Sequence, residues 1–143
     1  MKRSLIVFLA LCCGPLALLA ASTAIAHTVR HPSKLTFHLH ENGADPDSFT
    51  GRVSSDNLKC EADRTVEVYR RLGPNGPDPE HDPLLGTTQT DADGHYEVVL
   101  EDEVVKGGEY YGIATRKVLR NDGEHSHVCR IAGAGLIVFV PPG

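Results

Sequence analysis

Among the residue types of this chain of 143 residues, histidine is the one whose number and spacing could best support chemistry, and the chain contains eight histidines. Two pairs have the spacing His-x-His, namely His38 with His40 and His125 with His127. On a β-strand this spacing puts both imidazole rings on one face, because successive side chains alternate between faces. Imidazole nitrogens bind Cu²⁺ and Zn²⁺ well, and three or four of them would complete a site. The pattern therefore indicates a possible copper or zinc site.

The N-terminal segment determines whether a further histidine joins this set. Residues 1–26 have a short basic start, a long apolar run and the ending Ala24-Ile25-Ala26, which fits the small-x-small rule for cleavage. The sequence therefore predicts a secretory signal peptide that is cut between Ala26 and His27. The new first residue would offer an amine as well as an imidazole, and His31 follows four positions later. Five histidines form the predicted ligand set: His27, His38, His40, His125 and His127.

A solvated polar face is the alternative interpretation of these histidines, and a pH-dependent contact is another. In the segment 34–40 apolar and polar residues alternate, so that His38 and His40 fall on the face opposite Phe37 and its apolar neighbours. Polar residues are expected on such a face without any ligand. Copper or zinc is therefore a second hypothesis, beside a protein that has no cofactor.

The cysteines indicate an oxidising compartment. Cys12 and Cys13 would leave with the signal peptide, so that Cys60 and Cys129 remain. Two cysteines in a small exported chain are expected to form a disulfide. The loop that this bond closes has about 70 residues, and the chain-entropy model gives such a closure roughly 4 kcal/mol of stability.

Other motifs with catalytic or ion-binding potential are weaker. Asp91-Ala92-Asp93-Gly94 resembles a fragment of a calcium-binding loop, but the residues after it alternate as a strand, which favours a simple turn. The sequence has no Gly-x-Ser-x-Gly elbow, and its glycine-rich segment at 133–135 precedes a strand rather than a helix. We therefore expect no enzyme.

The charge of the chain limits the classes of partner. The formal net charge is −5, and it becomes −7 when Lys2 and Arg3 leave with the signal peptide. An acidic chain is a poor match for nucleic acid or an anionic membrane surface. No later apolar segment approaches the roughly 18–20 residues of a spanning helix, and the C-terminal end lacks an anchor pattern. We expect a secreted protein, extracellular or periplasmic, whose unknown partner is an extracellular protein or a glycan.

Alternation with period two recurs along the chain, and helical periodicity is nearly absent. Four prolines within 73–83 predict a protruding loop, because proline has no N–H for a sheet ladder. Gly51 within a strand indicates a bulge or a close approach of another backbone. The strands on either side of 91–94 are predicted to form a hairpin. Seven strands are predicted: 34–40, 48–54, 65–71, 84–90, 95–100, 109–119 and 132–140.

This pattern predicts an all-β fold, a seven-stranded antiparallel two-sheet sandwich of Ig-like or prealbumin-like type with one disulfide. The sandwich domain would span residues 34–143, after a signal peptide at 1–26 and an N-terminal segment at 27–33.

A family pattern covers about residues 34–140. Its motifs are Phe49-Thr50-Gly51-Arg52-Val53-Ser54, Cys60, Arg64-Thr65-Val66-Glu67-Val68-Tyr69, Thr90-Asp91-Ala92-Asp93-Gly94-His95-Tyr96, Gly108-Glu109-Tyr110-Tyr111 and Cys129. The pattern resembles carboxypeptidase-regulatory-like, or Cna-B-type, domains of prealbumin-like fold, in the small secreted bacterial form with one cysteine pair. The resemblance implies a non-catalytic module that stiffens a surface protein or binds a partner. The Lys–Asn cross-link of many Cna-B domains is not expected, because 135–140 contains no Asn.

Two hypotheses about function follow from these observations. The leading one is a secreted, non-enzymatic binding or structural module that makes contacts through its loops, chiefly 72–83 and 120–128. The alternative is a secreted copper- or zinc-binding protein that uses clustered histidines. The two differ in geometry, because a metal site requires ring nitrogens within about 4 Å of one another.

Overall fold

The computed structural model of the chain describes residues 27–41, 46–100, 105–121 and 125–139. The predicted signal peptide, with Ala26, Cys12 and Cys13, lies outside the described residues. The described part is all-β. Its strands are β1 (His27–His31), β2 (Ser33–Leu35), β3 (His38–His40), β4 (Ser48–Ser55), β5 (Thr65–Arg71), β6 (Leu84–Gln89), β7 (His95–Val99), β8 (Gly108–Ala114), β9 (Lys117–Asn121), β10 (His125–Cys129) and β11 (Ala132–Val138), with one 3₁₀ turn at Leu58–Cys60. None of the described residues forms a helix long and apolar enough to cross a membrane.

The strands form several sheets. One has the order β11-β8-β5-β6, and all its neighbouring pairs are antiparallel. In a second, β4 pairs with β2 and β3 along one edge and with β7 along the other. The third is small and has the order β1-β10-β9, with β1 and β10 parallel. This parallel pair brings the N-terminal strand beside a strand almost 100 residues later in the chain.

The core lies between the β4 sheet and the sheet that contains β5 and β8. The ring of Phe49 stacks on that of Phe37 with 4.9 Å between centroids, and it also meets Tyr110 from the other sheet at 5.3 Å. Val66 and Val68 supply fully buried side chains from β5. The alternation of buried and exposed residues in these strands thus follows the hydrophobic pattern of the sequence.

The first predicted strand, 34–40, is interrupted at residues 36 and 37, so it appears as β2 and β3. Both pieces keep one common register against β4. At the interruption the Thr36 carbonyl approaches Gly51 so closely that a Cβ atom at residue 51 would lie 2.0 Å from its oxygen. The Tyr96 hydroxyl donates a hydrogen bond to the same oxygen at 2.7 Å. The close approach predicted from Gly51 is therefore confirmed.

The predicted hairpin between 84–90 and 95–100 is wrong. β6 pairs with β5, and β7 pairs with β4, so the two strands belong to different sheets. The chain crosses between the sheets at the predicted turn, where the Asp91 carboxylate accepts hydrogen bonds from the backbone of Asp93 and His95. Gly94 adopts a φ of +83°, which favours glycine. Alternation shows which residues of a strand are buried, but not which strand is its neighbour.

The strand count also differs from the prediction, since the described residues contain eleven strands rather than seven. Two divisions account for part of the difference: 34–40 becomes β2 and β3, and 109–119 is divided between β8 and β9. The strands β1 and β10 were not predicted, because short polar segments rich in histidine give a weak strand signal. The predicted contact loop 120–128 is corrected accordingly, since residues 125–129 form β10.

The disulfide between Cys60 and Cys129 is present, and it joins the 3₁₀ turn to the end of β10. Beside it lies Arg64, whose side chain is fully buried. Its guanidinium donates to the backbone oxygens of Thr115, Cys60 and Arg130 at 2.6–2.9 Å and to the Ser33 hydroxyl at 3.1 Å. These bonds connect the residue before β5 with β2, the 3₁₀ turn and the segments that follow β8 and β10. The charge-assisted geometry compensates for the burial of a cation.

Candidate functional site

The structure divides the predicted metal ligands between two sheets. His38 and His40 lie on β3, where both side chains are exposed. His27, His125 and His127 lie on β1 and β10, and His27 is the register partner of His125. In the part of the chain that is described, no three His, Cys, Asp or Glu side chains are placed to hold one metal ion. The structure thus places the five predicted histidines in two separate groups, two on β3 and three on the β1–β10 pair.

A different histidine is the close neighbour of His127. The Nε2 atom of His31 lies 3.1 Å from Nδ1 of His127, and the two rings lie edge to edge, with an angle of 16° between their planes and centroids 5.4 Å apart. Both residues lie on the same face of the parallel pair, because His31 pairs with Cys129 and His127 stands two residues before it. The Asp56 carboxylate oxygen Oδ1 lies 3.3 Å from Nδ1 of His31. The sequence placed His31 near the N-terminus but gave no sign that it would meet His127.

The loop 72–83, which we call the proline loop, is held against the outer face of β5 and β8. Asp82 is 8% exposed, and its carboxylate accepts hydrogen bonds from the backbone N–H groups of Leu72 and Asp78, each at 2.9 Å. It also accepts a hydrogen bond from the Tyr111 hydroxyl at 2.8 Å. The carboxylate of Asp82, near the end of the loop, thus holds the loop's first residue and its middle, and it attaches the loop to the sheet through Tyr111.

These bonds change the acidity of the groups that make them. The hydrogen bonds from Leu72 and Asp78 hold the pKa of Asp82 below its usual value, because they stabilise the ionised carboxylate. Burial raises the pKa of Tyr111, and its hydrogen bond to Asp82 acts in the same direction. The neighbouring ring of Tyr69 stacks on Tyr111 with centroids 5.2 Å apart. Burial and a hydrogen bond to Glu67 raise the pKa of Tyr69 to about 12.

An apolar groove runs between the proline loop and strands β8 and β11. Its main cavity has a volume of about 440 Å³, and we call it the proline-loop groove. Its lining residues are Pro77, Tyr111, Gly112, Ile113, Ile131, Gly133, Ala134 and Gly135. An adjoining cavity of about 270 Å³ shares Pro77, Tyr111 and Gly135 and extends towards Ile137.

The groove exists because glycines lie where side chains would otherwise fill it. Gly133 and Gly135 pair with Ile113 and Tyr111, so their missing side chains would project from the same outer face as those two. A Cβ atom on Gly133 would have only the Gly112 carbonyl oxygen within 4 Å, at 3.6 Å. The exposed side chain of Ile131 borders this space, and it is 64% exposed. The sequence predicted the loop but not the groove, because the groove depends on strand pairing.

Comparison with models of protein families, with curated proteins and with solved structures finds no match for this chain.

Proposed function

We propose that the protein is a secreted, non-enzymatic β-sandwich module that binds an extracellular protein through the proline-loop groove. The observation that carries this proposal is the apolar cavity of about 440 Å³ beside a loop held in place by a buried carboxylate. Concave, mostly apolar surfaces are where proteins commonly bind ligands. A loop that is ordered before binding loses less conformational entropy when a partner docks.

The chemistry of the lining favours a peptide segment with apolar side chains over a glycan. Glycan-binding surfaces use exposed aromatic rings and many hydrogen-bonding side chains. In this groove Tyr111 is 4% exposed, and its hydroxyl is already bonded to Asp82. The groove floor at Gly133 is open backbone, and exposed Ile131 forms its margin. A leucine-like or proline-like side chain of a partner protein fits such a lining best.

The fold that we propose is a two-sheet sandwich of prealbumin type with seven principal strands. Counting β2 and β3 as one strand, these are β4, β5, β6, β7, β8, β11 and the β2–β3 strand. The sheet of β1, β9 and β10 would be an addition at the disulfide end. The packing of Phe49 against Tyr110 between the two larger sheets supports this proposal, as does the resemblance to carboxypeptidase-regulatory-like domains.

Export is part of the same proposal, and the predicted signal peptide and the Cys60–Cys129 bond support it. Intact mass of the protein from the secreted fraction tests it. We expect a chain that begins at His27 and has lost two hydrogens through disulfide formation. An uncleaved chain with both thiols reduced would contradict export.

Selection from a phage-displayed random peptide library tests the binding function. We expect enriched peptides with apolar side chains to bind the wild-type protein and to lose at least tenfold in affinity for Gly133→Leu, which fills the groove. The matched control is Gly73→Leu, because a side chain at residue 73 would meet no atom within 4 Å and lies outside the groove. Peptides that bind both variants equally, or binding only to a glycan array, would contradict a peptide-binding groove.

A further inference from the structure

We propose that the protein forms a two-fold symmetric dimer in which strand β11 pairs antiparallel with β11 of a second copy, centred on Gly135. This inference rests on the proposed function, because it names a second copy of this chain as the extracellular protein that occupies the proline-loop groove. It adds the manner of contact, which is strand pairing along the edge of β11, with the groove as one part of the interface.

Strand β11 lies at the edge of its sheet and lacks the usual protection of an edge. It ends the order β11-β8-β5-β6, and among the described residues it pairs only with β8. In an antiparallel ladder alternate residues direct their N–H and C=O groups away from the neighbour, so β11 presents a row of such groups at its open edge. Proteins commonly block such edges with charged residues or proline. The segment 131–139 contains neither.

Large apolar side chains are exposed along the same segment. Ile131 is 64% exposed, Ile137 is 57% exposed and Phe139 is 85% exposed. Even numbers of residues separate these three positions, so in the extended chain they lie on the outer face together with Gly133 and Gly135. An apolar surface of this kind, continuous along one strand, is typical of an interaction site.

The strand also provides the space that these side chains need. Pairing centred on Gly135 places Ile137 opposite Gly133 of the partner subunit. A Cβ atom at Gly133 would have only the Gly112 carbonyl oxygen within 4 Å, at 3.6 Å, so a side chain from an adjacent strand can lie over this residue. Because Gly133 lines the proline-loop groove, the Ile137 side chain enters the groove of the other copy.

The ends of the segment are complementary as well. The same register places Ile131 opposite Phe139 of the partner subunit, so the most exposed ring of the segment covers an exposed isoleucine. Cross-strand pairs of an aromatic and a β-branched side chain stabilise a sheet. The symmetry repeats each of these contacts, because in a two-fold interface residue i meets j and j meets i.

The two-fold symmetry selects this register. An axis perpendicular to the sheet keeps the outer faces of both copies on one side, so outer residues must lie opposite outer residues. A shift by one residue would place the half-buried Leu136 and Val138 opposite outer positions, which this symmetry does not allow. Centring on Gly135 pairs the whole charge-free segment 131–139 with itself. The two four-stranded sheets then form one continuous sheet.

Sedimentation equilibrium of the full-length protein as it is exported tests the dimer. We expect the mass of two chains, falling to that of one chain on dilution. Ile137→Lys and Phe139→Lys should each raise the dissociation constant at least about tenfold, because an ammonium would replace an apolar group buried in the interface. Leu84→Lys is the matched control and should leave the constant unchanged. Leu84 is 54% exposed and lies on β6, at the opposite edge of the same sheet.

Disulfide trapping tests the register. Residues directly opposite in an antiparallel pair have Cα atoms about 4.5–5.5 Å apart, which suits a disulfide. A mixture of the variants Gly133→Cys and Ile137→Cys under mild oxidation should therefore give a heterodimer, with the bond between residues 133 and 137 identified by the mass of proteolytic fragments. Ile137→Cys alone should not cross-link. If it cross-links with itself as readily as in the mixture, the register centred on Gly135 is wrong.

The mass of a single chain at every concentration would overturn the dimer, and so would a dimer that both Ile137→Lys and Phe139→Lys leave intact. Circular dichroism and the thermal midpoint of each variant show that the fold is preserved.

Phe139→Lys also separates this inference from the proposed function, because Phe139 does not line the groove. As a monomer it should still bind apolar peptides from the library. A monomeric Phe139→Lys variant that binds no such peptide would contradict peptide binding, whereas sedimentation and trapping decide the dimer.

Discussion

Two buried charged groups hold opposite parts of this molecule, and they do so with opposite chemistry. Arg64 is a donor that satisfies carbonyl oxygens from several segments around the disulfide. Asp82 is an acceptor that satisfies two N–H groups of the proline loop and the Tyr111 hydroxyl. A guanidinium keeps its charge throughout the acidic and neutral range, although burial lowers the pKa of Arg64. A carboxylate loses its charge in acid, so protonation weakens the contacts that Asp82 makes but not those that Arg64 makes.

The two regions of this small protein therefore differ in how their polar contacts respond to pH. The contacts of Arg64 persist in acid, whereas those of Asp82 are lost when the carboxylate is protonated. The disulfide end has a covalent bond as well as the arginine, and it anchors segments that are distant in the sequence. The proline loop has no such bond and lies at the surface beside the groove. Binding surfaces commonly belong to loops that a rigid scaffold positions, and this arrangement follows that rule.

Replacement of Arg64 is expected to have the largest effect on stability. Arg64→Met leaves three backbone oxygens and the Ser33 hydroxyl without the donor that the buried Arg64 side chain provides. At about 1 kcal/mol for each lost partner, we expect a decrease of about 4 kcal/mol in the free energy of unfolding. Urea unfolding followed by circular dichroism measures this value. Arg116→Met is the matched control, because Arg116 is exposed and should change stability by less than about 0.5 kcal/mol. Equal effects of the two substitutions would contradict the role assigned to Arg64.

Loss of the disulfide is expected to have the second largest effect. The double variant Cys60→Ala/Cys129→Ala should lower the free energy of unfolding by about 2–4 kcal/mol, because the unfolded chain regains freedom in a long loop. Urea unfolding of the wild type with and without reductant measures the same difference. The variant should also show faster amide exchange in β1 and β10 than in β5. Unchanged exchange in β1 would show that the disulfide does not support the parallel pair.

The elements that sequence patterns could predict are those with strong alternation. The strand predicted at 65–71 has the observed bounds, and the turn at 91–94 and the loop at 72–83 lie where expected. The wrong hairpin of β6 and β7 shows the limit, because pairing between sheets depends on the packing of the whole core. The His31–His127 contact was not predictable for the same reason. It requires the parallel pairing of two polar strands, which neither segment signals on its own.

Acid is expected to release the proline loop before the disulfide end. Because the pKa of Asp82 is lower in the folded protein than in the unfolded chain, its bonds contribute full stability above the unfolded carboxyl value of about 3.9. That contribution is lost as the pH falls through the folded pKa. The amide protection factors of Leu72 and Asp78, measured by NMR from pH 7 to pH 2 and corrected for the intrinsic exchange rate at each pH, should fall in this range, while that of the Arg64 amide stays high. Tyr111→Phe should keep this pH dependence, whereas Asp82→Asn should abolish it. If the Arg64 amide lost its protection at a higher pH than the amides of Leu72 and Asp78, the disulfide end would be the more acid-sensitive region, which would contradict this expectation.

The smallest expected effect distinguishes the two glycines that open the groove. A Cβ atom at Gly133 would meet only the Gly112 oxygen at 3.6 Å, an ordinary contact, so Gly133→Ala should change the free energy of unfolding by less than about 0.5 kcal/mol. A Cβ atom at Gly135 would lie 3.1 Å from the Tyr110 oxygen, so the backbone must shift and Gly135→Ala should be the less stable variant. Thermal unfolding of both variants measures this order. If Gly133→Ala were the more destabilising substitution, the floor of the groove would not have the room that a partner's side chain requires.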